Sequence, residues 1–177
     1  MLDGRDRRRV SEMAGDQGVV VFAKARVSDR DDEPDVRSGG ASREAAQRMR
    51  ARASGSIVNI ASVSGVRGNS GRVAYGCSKA AVIHMTKVMA VELGPSGIRV
   101  NAIAPGPVET PLVKEVHTDQ ARAAWMRTVP QRRYGTPDEL AGAATFLLDE
   151  RKSSYITGQT ICVDGGFTAA GIMAGSA

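Results

Sequence analysis

Apolar residues fall in short compact blocks along the chain, and longer mixed stretches separate these blocks. Each block is bounded by glycine, proline, serine or a charged residue, as expected of buried strands. The blocks predict strands over residues 18–23, 56–61, 98–104 and 159–163. The stretches between them predict helices over residues 44–52, 73–93, 112–128 and 137–148. Alternating strands and helices predict an α/β fold with a parallel sheet and right-handed crossovers.

Local signals mark the ends of two of the predicted helices. Gly94 and Pro95 follow the stretch over residues 73–93 and end that helix. Thr136 is a good N-cap, Pro137 suits the first turn, and Glu139 stands three residues after the cap. These signals predict a helix that begins just after Thr136.

Charge divides the chain into two unlike parts. Of the first 54 residues 22 are charged, against 21 of the following 123. The first part also has one leucine and no isoleucine, so it buries little apolar area to offset chain entropy. We therefore predict an atypical, poorly ordered leader over residues 1–43 and a folded unit over residues 44–177.

Composition narrows the class of protein. The 177 residues are 42% hydrophobic, which is enough for the core of one domain. The net charge of +5 is dispersed and aromatic residues make up 4%, which disfavours nucleic-acid binding. No apolar run approaches the roughly 18 residues of a membrane span, so no membrane partner is expected. Cys77 and Cys162 lack ligand-like spacing, which disfavours a metal site and favours the reducing cytoplasm.

Three polar side chains form the candidate catalytic set. Tyr75 and Lys79 stand four residues apart in a predicted helix, so both lie on one face. Ser62 comes just after a predicted strand, and ligands of open α/β sheets bind beyond the carboxyl ends of strands. The spacing alone leaves a second interpretation open, in which the three have no shared role.

Proton transfer is the chemistry that such a set performs. A free phenol has a pKa near 10, and a cation within about 4–6 Å lowers such a pKa by roughly 1–3 units. A phenol activated in this way can protonate a carbonyl oxygen or deprotonate an alcohol. A neighbouring hydroxyl can hold the developing alkoxide.

Several blocks resemble one enzyme family in order and separation. They read GSIVNIASVSG (residues 55–65), YGCSKAA (75–81), GIRVNAIAPG (97–106), ITGQT (156–160) and VDGG (163–166). Together they resemble the C-terminal half of the short-chain dehydrogenase/reductase family, over roughly residues 44–168. The resemblance implies a Rossmann-like parallel sheet with flanking helices, incomplete on its N-terminal side. It also implies NAD or NADP as cofactor and a small-molecule alcohol or ketone as substrate.

Roles for individual residues follow from the resemblance. Ser62 looks like the substrate-orienting serine and Tyr75 like the catalytic acid/base. Lys79 looks like the lysine that activates the tyrosine and holds the nicotinamide ribose, and both Tyr75 and Lys79 are candidate cofactor-binding residues. The block PGPVET (residues 105–110) resembles the loop that contacts the nicotinamide end. That loop supplies the candidate cofactor-binding residues Pro105, Gly106, Val108 and Thr110. Helix 73–93 and residues 157–168 resemble elements that build a dimer or tetramer of identical chains.

The first half of the family pattern is not recognisable in this sequence. Residues 1–54 contain no threonine–glycine followed by spaced glycines, which would seat a pyrophosphate. Gly65, Gly68 and Gly71 are regularly spaced but belong to the serine loop, and no asparagine precedes Asn59. A leader read in a wrong frame would account for this pattern. The alternative to an oxidoreductase is therefore a truncated, catalytically silent fragment or subunit that acts through oligomer contacts.

Overall fold

The computed structural model describes residues 18–21, 46, 47, 49–171 and 173. Four strands form one parallel sheet in chain order. They are β1 (Gly18–Val21), β2 (Gly55–Ile60), β3 (Ile98–Pro105) and β4 (Thr160–Val163). The first five residues of β2 and the first seven of β3 are buried, as continuous apolar runs in a parallel sheet require. The predicted α/β architecture with a parallel sheet is confirmed.

Helix α1 (Val73–Leu93) has the predicted bounds. Its buried residues recur every three or four positions and face the sheet: Ser78, Val82, Thr86, Ala90 and Leu93. A 3₁₀ turn (Gly94–Ser96) follows, and the left-handed residue that redirects the chain is Gly97 at φ 70°. A Cβ at Gly97 would collide with the Ala53 carbonyl oxygen, so this turn requires glycine at position 97.

The single helix predicted over residues 112–128 is wrong, because the structure contains two. Helix α2 (Pro111–Val116) ends at His117, and helix α3 (Asp119–Thr128) begins after Thr118. Both joint residues have extended backbone angles. The Thr118 hydroxyl accepts a hydrogen bond from the Ala121 amide at 3.2 Å, which starts a new helix instead of continuing the old one.

Helix α4 (Pro137–Leu148) begins with the predicted capping box. The Thr136 hydroxyl accepts from the Glu139 amide, and the Glu139 carboxylate accepts from the Thr136 amide at 2.8 Å. Hydrogen bonds from Arg133, then from Thr136, lower the pKa of Glu139 to about 2. Helix α5 (Glu150–Ser153), which the sequence pattern did not predict, follows directly.

A buried polar junction closes the C-terminal end of α4. The Leu147 carbonyl accepts from Arg99 Nη1 at 2.8 Å, from Ser56 Oγ at 2.9 Å and from Ser153 Oγ at 3.1 Å. Burial lowers the pKa of Arg99, and the nearby acidic residues Glu150 and Asp149 oppose that effect. A cation at the carbonyl end of a helix also complements the helix dipole.

Apolar clusters lie on both faces of the sheet. Ile57 packs with residues of α1, whereas its neighbour Val58 packs with Leu147 of α4. Consecutive strand residues point to opposite faces, so α1 and α4 cover opposite sides.

The strand order shows that the chain moves in the same direction across the sheet from β2 to β3 and from β3 to β4. The first connection passes over the face covered by α1, and the second passes over the face covered by α4. The two crossovers therefore have opposite handedness, and the expectation that all crossovers are right-handed is wrong. The β3–β4 connection carries four helices, so the rule for a short unit does not govern it.

The predicted leader over residues 1–43 lies outside the described residues apart from β1. That strand pairs in parallel with β2, from Gly18 opposite Ser56 to Val21 opposite Asn59. In the helix predicted over residues 44–52, Ala46 and Met49 are helical and buried against Ile57. Among the described residues, no helix is both long enough and apolar enough to cross a membrane.

Candidate active site

The side chains of Tyr75 and Lys79 meet near the N-terminal end of α1. The Lys79 Nζ lies 5.8 Å from the centroid of the Tyr75 ring, as their four-residue spacing predicts. The Arg72 guanidinium lies 5.7 Å from the same centroid. The Tyr75 ring thus has two cations beside it. The residue is also 42% exposed, so its phenol is accessible to a ligand.

Lys79 also ties α1 to the end of strand β2. Its Nζ donates a hydrogen bond to the Ile60 carbonyl at 3.1 Å, across 19 residues of sequence. Ile60 is the last residue of β2, and Ser62 follows two residues later. The lysine therefore lies at the carboxyl end of the strand, where open α/β sheets bind their ligands.

Ser62 lies in the tight loop that follows β2. The residue is 8% exposed, and its Oγ accepts a hydrogen bond from the Ser64 amide at 3.2 Å. This bond caps the 3₁₀ turn Val63–Gly65 and orients the hydroxyl. The structure thus brings Tyr75 and Lys79 together and places Ser62 at the same end of the sheet.

Two glycines let the serine loop and α1 approach closely. A Cβ on Gly65 would lie 2.6 Å from the Ala80 backbone nitrogen, and one on Gly76 would lie 2.9 Å from the Ser64 carbonyl oxygen. Real Cβ atoms do not make such contacts, so both positions require glycine. The position of Ser62 relative to α1 depends on this backbone contact.

The predicted cofactor loop lies at the carboxyl ends of β3 and β4. Pro105 is the last residue of β3, and the Gly106 amide donates to the Val163 carbonyl at 2.9 Å. A Cβ on Gly106 would lie 2.7 Å from the Asp164 Cα, so the two segments are in close contact. Val108 pairs with Gly135 in a parallel bridge.

Thr110 ends this loop and begins α2. Its hydroxyl accepts a hydrogen bond from the Val113 amide at 3.2 Å, which caps the helix. Thr110 is therefore both the last residue of the loop and the N-cap of α2. Its contact with a cofactor stays a prediction, as do those of Pro105, Gly106 and Val108.

Four polar side chains, one in the loop and three next to it, were not recognised as a group from the sequence. We call them the polar ring: Glu109, His117, Arg122 and Tyr134. Arg122 binds the Glu109 carboxylate through two hydrogen bonds of 2.8 and 3.1 Å. The Arg122 guanidinium lies 4.9 Å from the centroid of the Tyr134 ring, and the Tyr134 Oη lies 2.9 Å from His117 Nδ1. Separations of 13 and 17 residues follow no local periodicity that could have revealed the group.

A metal centre is not apparent in the part of the chain that the structure describes. No three histidine, cysteine, aspartate or glutamate side chains there lie close enough to hold an ion. Cys77 and Cys162 are both free.

Comparison with known proteins decides the family. A short-chain dehydrogenase/reductase profile, described as enoyl-(acyl carrier protein) reductase, matches residues 36–168. The chain belongs to the short-chain dehydrogenase/reductase family. The resemblance seen in the sequence blocks is thereby confirmed.

Curated relatives in this family share nearly half of the matched residues. The chain is 47% identical over 113 residues to the 3-oxoacyl-(acyl-carrier-protein) reductase FabG of Chlamydia muridarum. It is 48% identical over 112 residues to FabG of Thermotoga maritima. These matches cover 64% and 63% of this chain and 45% of each relative. The matched part thus spans a little under half the length of these relatives.

Solved structures of short-chain dehydrogenases share the fold. A putative gluconate dehydrogenase from Agrobacterium tumefaciens superposes with a TM-score of 0.77 at 31% identity, covering 93% of this chain and 70% of that one. A 7α-hydroxysteroid dehydrogenase complexed with NADH and 7-oxo glycochenodeoxycholic acid superposes with a TM-score of 0.75 at 30% identity. That match covers 91% of this chain and 67% of the other. The Rossmann-like character of the sheet is confirmed.

Proposed function

We propose that this protein is an NAD(P)-dependent oxidoreductase that interconverts an alcohol and a carbonyl, with Tyr75 as general acid/base. One observation carries the proposal. Lys79 lies beside the Tyr75 ring and is held there by the Ile60 carbonyl, at the strand end that also carries Ser62. An ammonium fixed beside an accessible phenol is the arrangement that proton transfer to a substrate oxygen requires.

The described residues fit the nicotinamide end of such a cofactor. A half-buried ammonium, an accessible phenol and the loop over residues 105–110 lie at the carboxyl ends of neighbouring strands. Family membership supports the cofactor class, since relatives have been solved with NADH and with NADP. When bound, the cofactor supplies or accepts the hydride.

Each side chain of the set has a distinct task in the proposed reaction. The Tyr75 hydroxyl gives a proton to the carbonyl oxygen in reduction and takes it back in oxidation. The Ser62 hydroxyl donates to the same oxygen as its negative charge develops. The Lys79 Nζ lies beside the Tyr75 ring and would hold the cofactor by donating to the hydroxyls of its ribose.

Cofactor titration tests the proposal directly. NADH and NADPH are titrated into the purified full chain, and nicotinamide fluorescence is followed. We expect saturable micromolar binding that weakens about tenfold or more in Lys79→Ala, because a hydrogen bond to a charged group contributes about 1.5–3 kcal/mol. Lys87→Ala is the matched control, since Lys87 is exposed on the same helix. The first substrate to test is a 3-oxoacyl-(acyl-carrier-protein), the substrate in the names of the curated relatives.

The opposite outcome favours the alternative function. Absence of binding at millimolar cofactor would contradict an enzyme that works by itself. The chain would then act as a silent fragment or subunit that binds a complete homologue. A specific observation keeps this alternative open: residues 1–54 contain no recognisable pyrophosphate loop.

We also propose that identical chains associate through α1. Three valines on one face of this helix are exposed: Val73 by 81%, Val88 by 42% and Val91 by 79%. An apolar stripe of this kind is typical of a subunit interface. The predicted location in the cytoplasm stays a prediction.

Light scattering after size exclusion tests this association. The unmodified chain is expected to run as a dimer or tetramer, and Val91→Glu as a monomer, because the new carboxylate would be buried without a partner. Val116→Glu places the same change on the exposed surface of α2 and should leave the mass unchanged. A monomeric mass for the unmodified chain would refute the interface.

A further inference from the structure

Helices α2 and α3 are held to the protein by few apolar contacts. Neither helix contains a fully buried residue, and Leu112 and Val116 are 51% and 59% exposed. Trp125 of α3 packs against an apolar cluster, with its ring centroid 5.1 Å from that of Phe167. Segments with so little buried area open most easily, so their polar attachments determine where they lie.

The polar ring supplies these attachments from four separate segments. Glu109 belongs to the loop after β3, His117 to the joint between α2 and α3, Arg122 to α3, and Tyr134 to the segment before α4. All four side chains are half-buried. Arg122 and Glu109 are joined by two parallel hydrogen bonds. This is the geometry in which an ion pair contributes most to stability.

His117 is the member of the polar ring whose charge can change near neutral pH. Burial, then the positive charges of Arg72 and Arg122, lower the pKa of this imidazole, and Glu109 partly opposes them. Burial raises the pKa of Tyr134, so its hydroxyl keeps its proton. The hydrogen bond between His117 Nδ1 and Tyr134 Oη forms with a neutral imidazole, and its direction depends on the tautomer. A protonated imidazole would face the positive charges of two guanidinium groups.

We propose that Arg122, Tyr134 and His117 are positioning residues that clamp α2 and α3 onto the loop of residues 105–110, and that protonation of His117 releases them. The link to catalysis rests on the proposed function, because this loop carries the residues assigned to the cofactor. Arg72 connects the polar ring with the candidate catalytic set. Its positive charge lowers the pKa of His117, and its guanidinium lies beside the Tyr75 ring. The clamp thus sets the position of the helices next to the reacting phenol.

The direction of the pH effect follows from linkage. A lowered pKa in the clamped state means that the proton binds the released state more tightly. The clamp is therefore strongest above the pKa of a free imidazole, which is about 6.5. It weakens as the pH falls through the lower pKa that His117 has in the clamped state. The equilibrium constant for release of the clamp rises about tenfold for each pH unit that separates the pKa of His117 in the released state from its pKa in the clamped state.

Hydrogen exchange without cofactor or substrate tests the clamp. Exchange of peptides from residues 111–128 is measured between pH 8 and pH 5 and normalised to peptides of α1. Emission of Trp125, the only tryptophan, is followed in parallel. We expect a step in both signals in the unmodified chain and in His84→Gln, which removes the other, exposed histidine. His117→Gln stays neutral and should show no step.

A second variant examines the hydrogen bond alone. Tyr134→Phe keeps the ring stacked on Arg122 and removes only the hydroxyl. It should raise exchange of residues 111–128 several-fold at pH 8 and, in the active enzyme, raise KM while leaving kcat unchanged. The clamp is wrong if His117→Gln keeps the step, or if Tyr134→Phe exchanges like the unmodified chain. Lack of activity in the unmodified chain would instead contradict the proposed function, since the exchange step does not depend on catalysis.

Discussion

Tyr75→Phe is expected to lower kcat by about 10²–10⁴-fold, the range that a positioned general acid or base contributes. The substitution removes only the phenolic oxygen. The ring that lies beside Lys79 and Arg72 remains, so the helix and its packing are retained. Cofactor affinity should therefore stay close to that of the unmodified chain, which separates this variant from Lys79→Ala.

The chain offers a matched control for this experiment. Tyr155 is fully exposed, and Tyr155→Phe removes the same atom from a position without contact to the site. Its kcat should equal that of the unmodified chain. A loss of less than about tenfold in Tyr75→Phe would assign the proton transfer to another group, because a true acid/base contributes at least about a hundredfold.

Gly65→Ala is expected to lower the free energy of unfolding by about 1–3 kcal/mol, the usual cost of inserting a methyl group into packed atoms. The new Cβ would lie 2.6 Å from the backbone of both Lys79 and Ala80, neither of which can move without shifting α1. The serine loop must then withdraw from the helix. Ser62 moves with it, so kcat is also expected to fall.

Gly68→Ala is the comparison that isolates this contact. Gly68 lies in the same loop and adopts no left-handed angle, and a Cβ added to it would have no heavy atom within 4 Å. Its stability in urea should stay within about 0.5 kcal/mol of the unmodified chain. Equal losses in the two variants would mean that the loop tolerates Gly65→Ala by local adjustment, and that the backbone contact does not position Ser62.

The three evenly spaced glycines of the serine loop also show a limit of sequence reasoning. Their spacing resembles a phosphate-binding pattern, but the structural need for glycine differs among the three. Gly65 lies against the backbone of α1, Gly71 adopts φ 71°, and Gly68 has no contact that requires glycine. A spacing cannot distinguish these cases, because the need for glycine comes from a neighbour distant in sequence at Gly65 and from a local backbone angle at Gly71.

Elements governed by neighbouring residues were predictable. The bounds of α1 and the start of α4 at its capping box agree with the structure, because caps and helical periodicity act within about four residues. The break between α2 and α3 at Thr118 was not predicted, although threonine is a favourable N-cap residue. The whole segment between two prolines was interpreted as one helix.

The candidate site shows the same division. The sequence by itself determined that Tyr75 and Lys79 share a helix face, since about four residues make one turn. Only the tertiary structure joined Lys79 to the Ile60 carbonyl, Arg122 to Glu109 and Tyr134 to His117. It also decided that α1 and α4 cover opposite faces of the sheet. These contacts depend on how whole elements pack, and packing is set by the summed burial of many side chains rather than by any local spacing.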